Sequence, residues 1–178
     1  MSETQSFQAK AKDWWAEARA NPLFSRALIG AALVAVADQI TKFIIVHQVK
    51  LPEIRRIELS SIFDLTYVEN KGASFGMLAG GMGSRVLLST ISIGIAVALT
   101  VWLGRTKKPL AATAIALIVG GALGNLYDRI AYGFVVDFLD FSGLYFPWVF
   151  NIADAAINVG VGLLLLDAYL ESRGSKAA

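Results

Sequence analysis

The sequence predicts an all-α membrane protein with four transmembrane helices and a small β-rich extracytoplasmic subdomain. Of the 178 residues, 56% are hydrophobic and only 17% are charged, against about 45–50% and about 25% in ordinary soluble domains. Four apolar stretches are each near the roughly 20 residues that a helix needs to cross a membrane. The loop between the first two stretches instead has the composition of short strands.

The N-terminal segment over residues 1–26 is polar and precedes the first apolar stretch. Trp14, Trp15 and Phe24 are interleaved with basic residues. This pattern is typical of a helix that lies on a membrane surface, with its aromatic side chains toward the membrane and its basic side chains toward lipid phosphates. A disordered tail is the competing interpretation of the same composition. The segment does not resemble a cleavable signal peptide, because its polar lead is long and the apolar stretch that follows contains Asp38.

The four predicted spans occupy residues 27–49, 86–103, 110–127 and 146–166. A soluble helical bundle would need polar faces at helical period, and the second and third stretches carry no charge at all. We therefore predict one four-span domain over residues 27–170, followed by a short tail over residues 171–178.

Basic residues orient the predicted spans. Arg105, Lys107 and Lys108 lie in the short link between the second and third spans, and the N-terminal segment and the tail are basic as well. With four spans, these three segments fall on one side of the membrane, which the positive-inside rule makes cytoplasmic. The loop over residues 131–145 has no Lys or Arg, as expected of an exported loop, so both termini are predicted to be cytoplasmic.

The loop over residues 51–85 is predicted to be an extracytoplasmic β and loop region. Residues 57–68 are rich in β-branched and aromatic side chains with partial alternation, which predicts two short strands. Several glycines follow between residues 72 and 83, and they predict a flexible segment that permits close approach of a neighbouring chain.

The inventory of reactive side chains is short. The chain has no cysteine and one histidine, His47, which excludes disulfides, thiol nucleophiles and thiolate metal sites. We expect no metal and no cofactor, so any catalysis depends on carboxylates, hydroxyls or lysine. The net charge of +2 gives no reason to expect nucleic acid as a partner.

Ionisable side chains within the predicted spans indicate function, because placing each one in the hydrocarbon core costs about 2.5–3.5 kcal/mol on insertion scales. Asp38 and Lys42 lie four residues apart in the first span, so they share a helix face and can form an ion pair, for which we favour a structural role. Asn125, Asp128 and Arg129 are predicted to share a face at the outer end of the third span. Arg129 can donate to a carbonyl or phosphate while Asp128 holds it in place.

Two further carboxylates fall at the outer membrane level. Asp137 lies among apolar residues, which favours burial, whereas Asp140 is predicted to be an exposed loop residue. Asp154 opens the fourth span, where Asn151 is a candidate helix cap. Because the connecting loop is short, we expect Asp137 and Asp154 to meet. Two carboxylates at hydrogen-bond range share one proton, which is the requirement for aspartic peptide hydrolysis.

Five different short motifs that contain polar residues are spaced along the chain. They read DQITK at 38–42, ENKGASF at 69–75, GNLYDR at 124–129, VVDF at 135–138 and FNIAD at 150–154. Their order and spacing resemble those of the lipoprotein signal peptidases (type II signal peptidases) over about residues 28–170. The resemblance implies a bacterial inner-membrane aspartic endopeptidase that removes the signal peptide of prolipoproteins by cutting before a diacylglyceryl-modified cysteine.

The same resemblance implies roles for individual residues and partners. The expected partners are the diacylated prolipoprotein and membrane lipid, the expected inhibitors are cyclic peptides of the globomycin type, and we expect a monomer. By motif matching, the implied site consists of the catalytic dyad Asp137 and Asp154, the substrate-binding residues Asn70, Asn125, Arg129 and Asn151, and the supporting residues Asp38, Lys42 and Asp128.

Two other classes of protein stay open from the residues alone. A small transporter or proton-coupled channel would use the Asp and Asn residues as a permeation path, but such a path needs ionisable residues spread across the membrane, whereas here they cluster at one face. A structural or assembly subunit would use them for helix packing. In that case Asp137→Asn would lose stability rather than activity.

Overall fold

The computed structural model describes residues 3–72 and 81–176. Within these ranges the helices and strands follow in the order α1 (Glu3–Ala20), α2 (Pro22–Phe43), α3 (Leu51–Ile54), β1 (Arg56–Glu58), β2 (Asp64–Asn70), α4 (Met82–Arg105), α5 (Pro109–Ala131), β3 (Val135–Asp140), β4 (Val149–Phe150) and α6 (Ile152–Lys176). A π-helical turn over Ile44–Gln48 continues α2.

Four helices of the described ranges are long and apolar enough to cross a membrane, which confirms the predicted fold class. They cover Pro22–Gln48, Met82–Arg105, Pro109–Ala131 and Ile152–Gly174. The predicted start of the fourth span at residue 146 is wrong, because Val149 and Phe150 form β4 instead. Helix α6 begins at Ile152 because Asn151 caps it, its Oδ1 accepting the N–H of Asp154 at 2.8 Å.

Helix α5 is the centre of the bundle. In its most apolar window 72% of the residues are buried, against 11–22% in the other three spans. Glycines make this possible: a Cβ at Gly120 would lie 2.7 Å from Val34 Cβ on α2, and one at Gly121 would lie 2.8 Å from Ile157 Cγ1 on α6. Close approach of backbones at small residues is the usual basis of helix packing in membranes.

The four strands form one antiparallel sheet in the order β1-β2-β3-β4. Strands β1 and β2 correspond to the two strands predicted within 57–68, with β2 continuing to Asn70. Successive residues of β3 point to opposite faces, so Val136 and Phe138 join an apolar cluster with Ile45 and Leu51, while Asp137 points the other way. Of the predicted flexible segment over 72–83, residues 73–80 lie outside the described residues.

Asp140 is buried, so its prediction as an exposed loop carboxylate is wrong. It ends β3 rather than standing in a loop, and it accepts hydrogen bonds from Thr66 Oγ1 at 2.7 Å and from the N–H of Ser142 at 2.9 Å. Burial raises the pKa of Asp140, but these hydrogen bonds outweigh it, so the pKa lies below its usual range. Its cross-strand neighbour Asp64 pairs with Arg56 at 2.5 Å.

Helix α1 packs against the end of α4. Trp14 Nε1 donates to the carbonyl of Val101 at 3.0 Å, and a Cβ at Gly104 would lie 2.7 Å from the same nitrogen. Ala18 is fully buried in the same contact. The N-terminal segment is therefore helical over Glu3–Ala20 rather than a disordered tail, and its contact with a membrane surface stays a prediction.

The three basic segments meet at one end of the bundle. Arg105 Nε lies 3.2 Å from Glu17 Oε2 on α1. Lys108 Nζ lies 3.4 Å from Asp167 and 2.6 Å from Glu171, both near the C-terminal end of α6. The N-terminal helix, the α4–α5 link and the end of α6 thus share one side of the bundle, as the four-span topology predicts.

Candidate active site

Asp137 on β3 and Asp154 on the first turn of α6 belong to one hydrogen-bond network. Asn151 Nδ2 donates to Asp137 Oδ1 at 2.6 Å and to Asn125 Oδ1 at 3.1 Å. Asn125 Nδ2 in turn donates to Asp154 Oδ1 at 2.7 Å. The side chains of two asparagines, one on α5 and one capping α6, therefore link the two carboxyl groups that the sequence predicts to meet.

Asp137 is buried, with only 1% of the residue exposed to solvent. Burial raises its pKa to about 7, and the nearby charge of Asp154 raises it as well, while hydrogen bonds from Asn70 and Asn151 act in the opposite direction. A carboxyl with such a pKa exists in both protonation states near neutrality, which suits a group that gives and takes a proton.

Asn70 is fixed at the end of β2 by a tight turn. Its Oδ1 accepts the N–H of Gly72 at 2.9 Å, and its Nδ2 donates to Asp137 Oδ2 at 3.0 Å. Gly72 has a positive φ of 79°, and a Cβ there would lie 2.8 Å from Ser84 Oγ, so this turn requires glycine. The turn thereby aims the Asn70 amide at the Asp137 carboxyl.

A buried ion cluster lies behind this network. Lys42 Nζ is 2.8 Å from both Asp38 Oδ2 and Asp128 Oδ2, and it donates to Asn125 Oδ1 at 3.2 Å. All three charged side chains are at least 95% buried. Lys42 therefore neutralises part of the charge of two carboxylates and also positions the asparagine that contacts Asp154.

The two carboxylates of this cluster hold the backbone next to Asp137 and next to Asp154. Asp38 Oδ1 accepts the N–H of Ala153 at 3.0 Å, immediately before Asp154. Asp128 Oδ2 accepts the N–H of Val136 at 3.1 Å, immediately before Asp137. These contacts favour the structural role that the sequence suggests for the Asp38 and Lys42 pair.

Gln39 completes the cluster, and no role in the site was assigned to it from the sequence. Its Nε2 donates to Asp128 Oδ1 at 2.8 Å and to Asp38 Oδ2 at 3.2 Å. The available signal was a second polar side chain next to Asp38 within an apolar span. An amide that satisfies two buried carboxylates at once lowers the cost of burying them.

Asp128 does not hold Arg129, contrary to the sequence prediction. Adjacent residues of a helix point about 100° apart, so Asp128 contacts Lys42 on α2 while Arg129 points in another direction. Arg129 is half-buried and lies where the charges of Asp154 and Asp137 act on its guanidinium. Its guanidinium makes no hydrogen bond or ion pair with a residue of the ranges 3–72 and 81–176.

The fold and this site define a multi-pass membrane protein whose buried carboxylate cluster lies at one end of a four-helix bundle. A family model described as signal peptidase (SPase) II matches residues 30–170. A lipoprotein signal peptidase of Caulobacter vibrioides is 49% identical over 141 residues, which cover 79% of this chain and 84% of that protein. One from Brevibacillus brevis is 41% identical over 150 residues, which cover 84% and 97%.

Solved structures agree with the sequence relatives. A bacterial membrane enzyme determined at 2.3 Å by the in meso method superposes with a TM-score of 0.72 at 32% identity, covering 85% of this chain and 92% of that one. A second bacterial membrane enzyme gives 0.70 at 33% identity, covering 81% and 92%. The chain belongs to the lipoprotein signal peptidase (signal peptidase II) family, and it is a multi-pass membrane protease acting on prolipoproteins.

Proposed function

We propose that the protein is an aspartic endopeptidase that cuts diacylglyceryl-modified prolipoproteins immediately before the lipidated cysteine, with Asp137 and Asp154 as its catalytic dyad. One observation carries the proposal. Two carboxyl groups from separate elements are linked through Asn151 and Asn125, and one of them has a pKa of about 7. Burial and the charge of Asp154 together keep Asp137 partly protonated near neutrality, so one acid of the pair can donate a proton while the other accepts one.

The proposed mechanism uses both protonation states of the pair. Asp137 carries the shared proton and Asp154 is ionised. Asp154 takes a proton from a water molecule as its oxygen attacks the scissile carbonyl carbon, and Asp137 donates its proton to the carbonyl oxygen. The tetrahedral intermediate then collapses as the C–N bond breaks. Asp154 returns a proton to the leaving nitrogen, and Asp137 recovers one from a hydroxyl of the intermediate.

Four residues are proposed to position the substrate. Arg129 faces the dyad without a partner among the described residues, so its guanidinium is available to a carbonyl of the substrate backbone. Asn70, Asn125 and Asn151 already donate to the two carboxyl groups. They therefore act by aligning the dyad as well as by lining the site.

The proposed location is the bacterial inner membrane, with both termini cytoplasmic and the dyad at the extracytoplasmic face. The meeting of the three basic segments at one end of the bundle supports this orientation, since the dyad lies at the other end. A lipidated substrate would then reach the dyad laterally from the bilayer. We further propose that the enzyme acts as a monomer in contact with membrane lipid and is inhibited by globomycin-type cyclic peptides.

A gel-shift cleavage assay tests this function. The purified protein is expected to convert a diacylated prolipoprotein to its shorter form and to leave the unlipidated precursor intact. No metal needs to be added, and a chelator is expected to leave the rate unchanged. Equal cleavage of both precursors, or loss of activity with the chelator, would contradict the proposal.

Asn70→Ala is expected to shift the pH profile of the enzyme. The Asn70 hydrogen bond lowers the pKa of Asp137, so its removal raises that pKa. Because Asp137 acts in its protonated form, the basic limb of kcat/KM, expected near pH 7, moves upward by about 1 pH unit. Asn158→Ala is the control and is expected to leave the basic limb in place, since Asn158 donates to the main-chain carbonyl of Asp154 and not to a carboxyl group. A basic limb that stays in place in Asn70→Ala would contradict the assignment.

A further inference from the structure

A basic cavity lies at the end of the bundle opposite the dyad. It has a volume of about 930 Å³ and opens to the surface where the junction of α1 and α2 meets the link between α4 and α5. Arg105 and Lys107 line it together with one carboxylate, that of Glu17. The cavity is therefore suited to a ligand that carries negative charge.

The positive charge of this cavity is available to a ligand. Arg105 and Glu17 are 3.2 Å apart, but both side chains are more than half exposed, and such pairs contribute little. Lys107 makes no ion pair with any side chain that the structure describes. Lys108 differs, because Asp167 and Glu171 already pair with it.

A narrow apolar furrow continues from the basic cavity along two membrane spans. It has a volume of about 230 Å³ and shares Leu23 and Pro109 with the cavity. Its walls come from α2 and α5, and Arg26 and Thr113 line it at exposed positions. The polar and charged groups of the cavity thus lead directly into an apolar furrow between two candidate membrane spans.

The walls of the cavity are held in place by hydrogen bonds. Asn21 Oδ1 accepts the N–H of Leu23 at 3.0 Å, and Asn21 Nδ2 donates to the carbonyl of Thr106 at 2.8 Å. Trp14 binds α1 to α4 on the neighbouring side. The cavity is therefore preformed, as small-molecule sites usually are.

We propose that this cavity and furrow bind an anionic glycerophospholipid of the membrane. Its phosphate contacts Arg105, Lys107 and Arg26, and one acyl chain occupies the furrow. Basic pockets between transmembrane helices at the cytoplasmic boundary recognise anionic headgroups. The ligand is a lipid rather than a free anion because the furrow opens among membrane spans, where acyl chains are the available apolar partner.

Native mass spectrometry of the full-length protein tests the proposal with phosphatidylglycerol and phosphatidylcholine of identical acyl chains. The wild type is expected to retain phosphatidylglycerol in preference to phosphatidylcholine. Arg26→Gln and Lys107→Gln are each expected to reduce that preference about fivefold. Lys12→Gln, which removes a charge from an exposed site on α1 outside the cavity, is the matched control and is expected to keep the preference.

A furrow variant tests the position of the acyl chain. Thr113→Trp fills the furrow, so the variant is expected to retain less of both lipids. Equal retention of the two lipids by the wild type would overturn the proposal, as would an equal loss of preference in Lys12→Gln. Unchanged retention in Thr113→Trp would overturn the placement of the chain. The measurement is of binding alone, so its result is independent of whether the dyad cleaves prolipoproteins.

Discussion

Replacing Asp137 or Asp154 by asparagine is expected to lower the cleavage rate of a diacylated precursor by at least about 1,000-fold. Each substitution removes a proton donor and acceptor while conserving the size of the side chain. Asn151, Asn125 and Asn70 surround these positions with amide groups that can reorient to bind an amide. The fold is therefore expected to survive. The free energy of unfolding, measured for each variant and the wild type in a denaturing detergent titration, checks this.

Two matched variants separate the dyad from other carboxylates. Asp140→Asn lies on the same strand as Asp137 and is also buried, whereas Asp167→Asn lies on the same helix as Asp154 at its far end. Both are expected to keep cleavage activity. Full activity in either dyad variant would defeat the mechanism. A loss of stability in place of activity would support a structural role for these carboxylates.

Lys42→Met is expected to reduce the free energy of unfolding by about 3–5 kcal/mol. The substitution leaves Asp38 and Asp128 buried without the ammonium that lies 2.8 Å from each. Unfolding followed by circular dichroism in a denaturing detergent titration measures the change. Adding Asp128→Asn to Lys42→Met is expected to recover part of the loss, since one buried charge is then removed.

Lys71→Met is the matched control for this effect. Lys71 also pairs with a carboxylate, that of Glu69 at 3.2 Å, but both side chains are at least 40% exposed. Its loss is expected to cost less than about 1 kcal/mol. If Lys42→Met were no more damaging than Lys71→Met, the buried cluster would not be a determinant of stability.

The spans and the polar motifs could be predicted from the sequence because each depends on local information. Length and apolar composition define a transmembrane helix without reference to its neighbours. A charged residue in such a stretch is conspicuous for the same reason, so Asp38, Lys42 and Asp154 could be singled out. The expected meeting of Asp137 and Asp154 at one membrane level, together with the family resemblance, gave these two residues their catalytic roles, and the roles stay predictions.

The remaining features depend on contacts between distant segments. Strand β3 pairs with β2, more than sixty positions earlier in the chain, and this pairing was not predicted although Val135, Val136 and Phe138 have the composition of a strand. Asp140 was therefore misplaced in a loop. The partners of Asp128 and the role of Gln39 follow from how α2 packs on α5, which helical periodicity alone does not give.

The contacts of Asp38 and Asp128 assign the alignment of the two acids to two helices that carry neither of them. Asp38 of α2 holds the N–H before Asp154, Asp128 of α5 holds the N–H before Asp137, and Lys42 of α2 joins the two. Within the connection from β3 to α6, Asn151 also donates to Asp137, whereas the exposed residues 142–148 make no hydrogen bond to either acid. Substitutions over residues 142–148 can therefore accumulate without moving the two carboxyl groups.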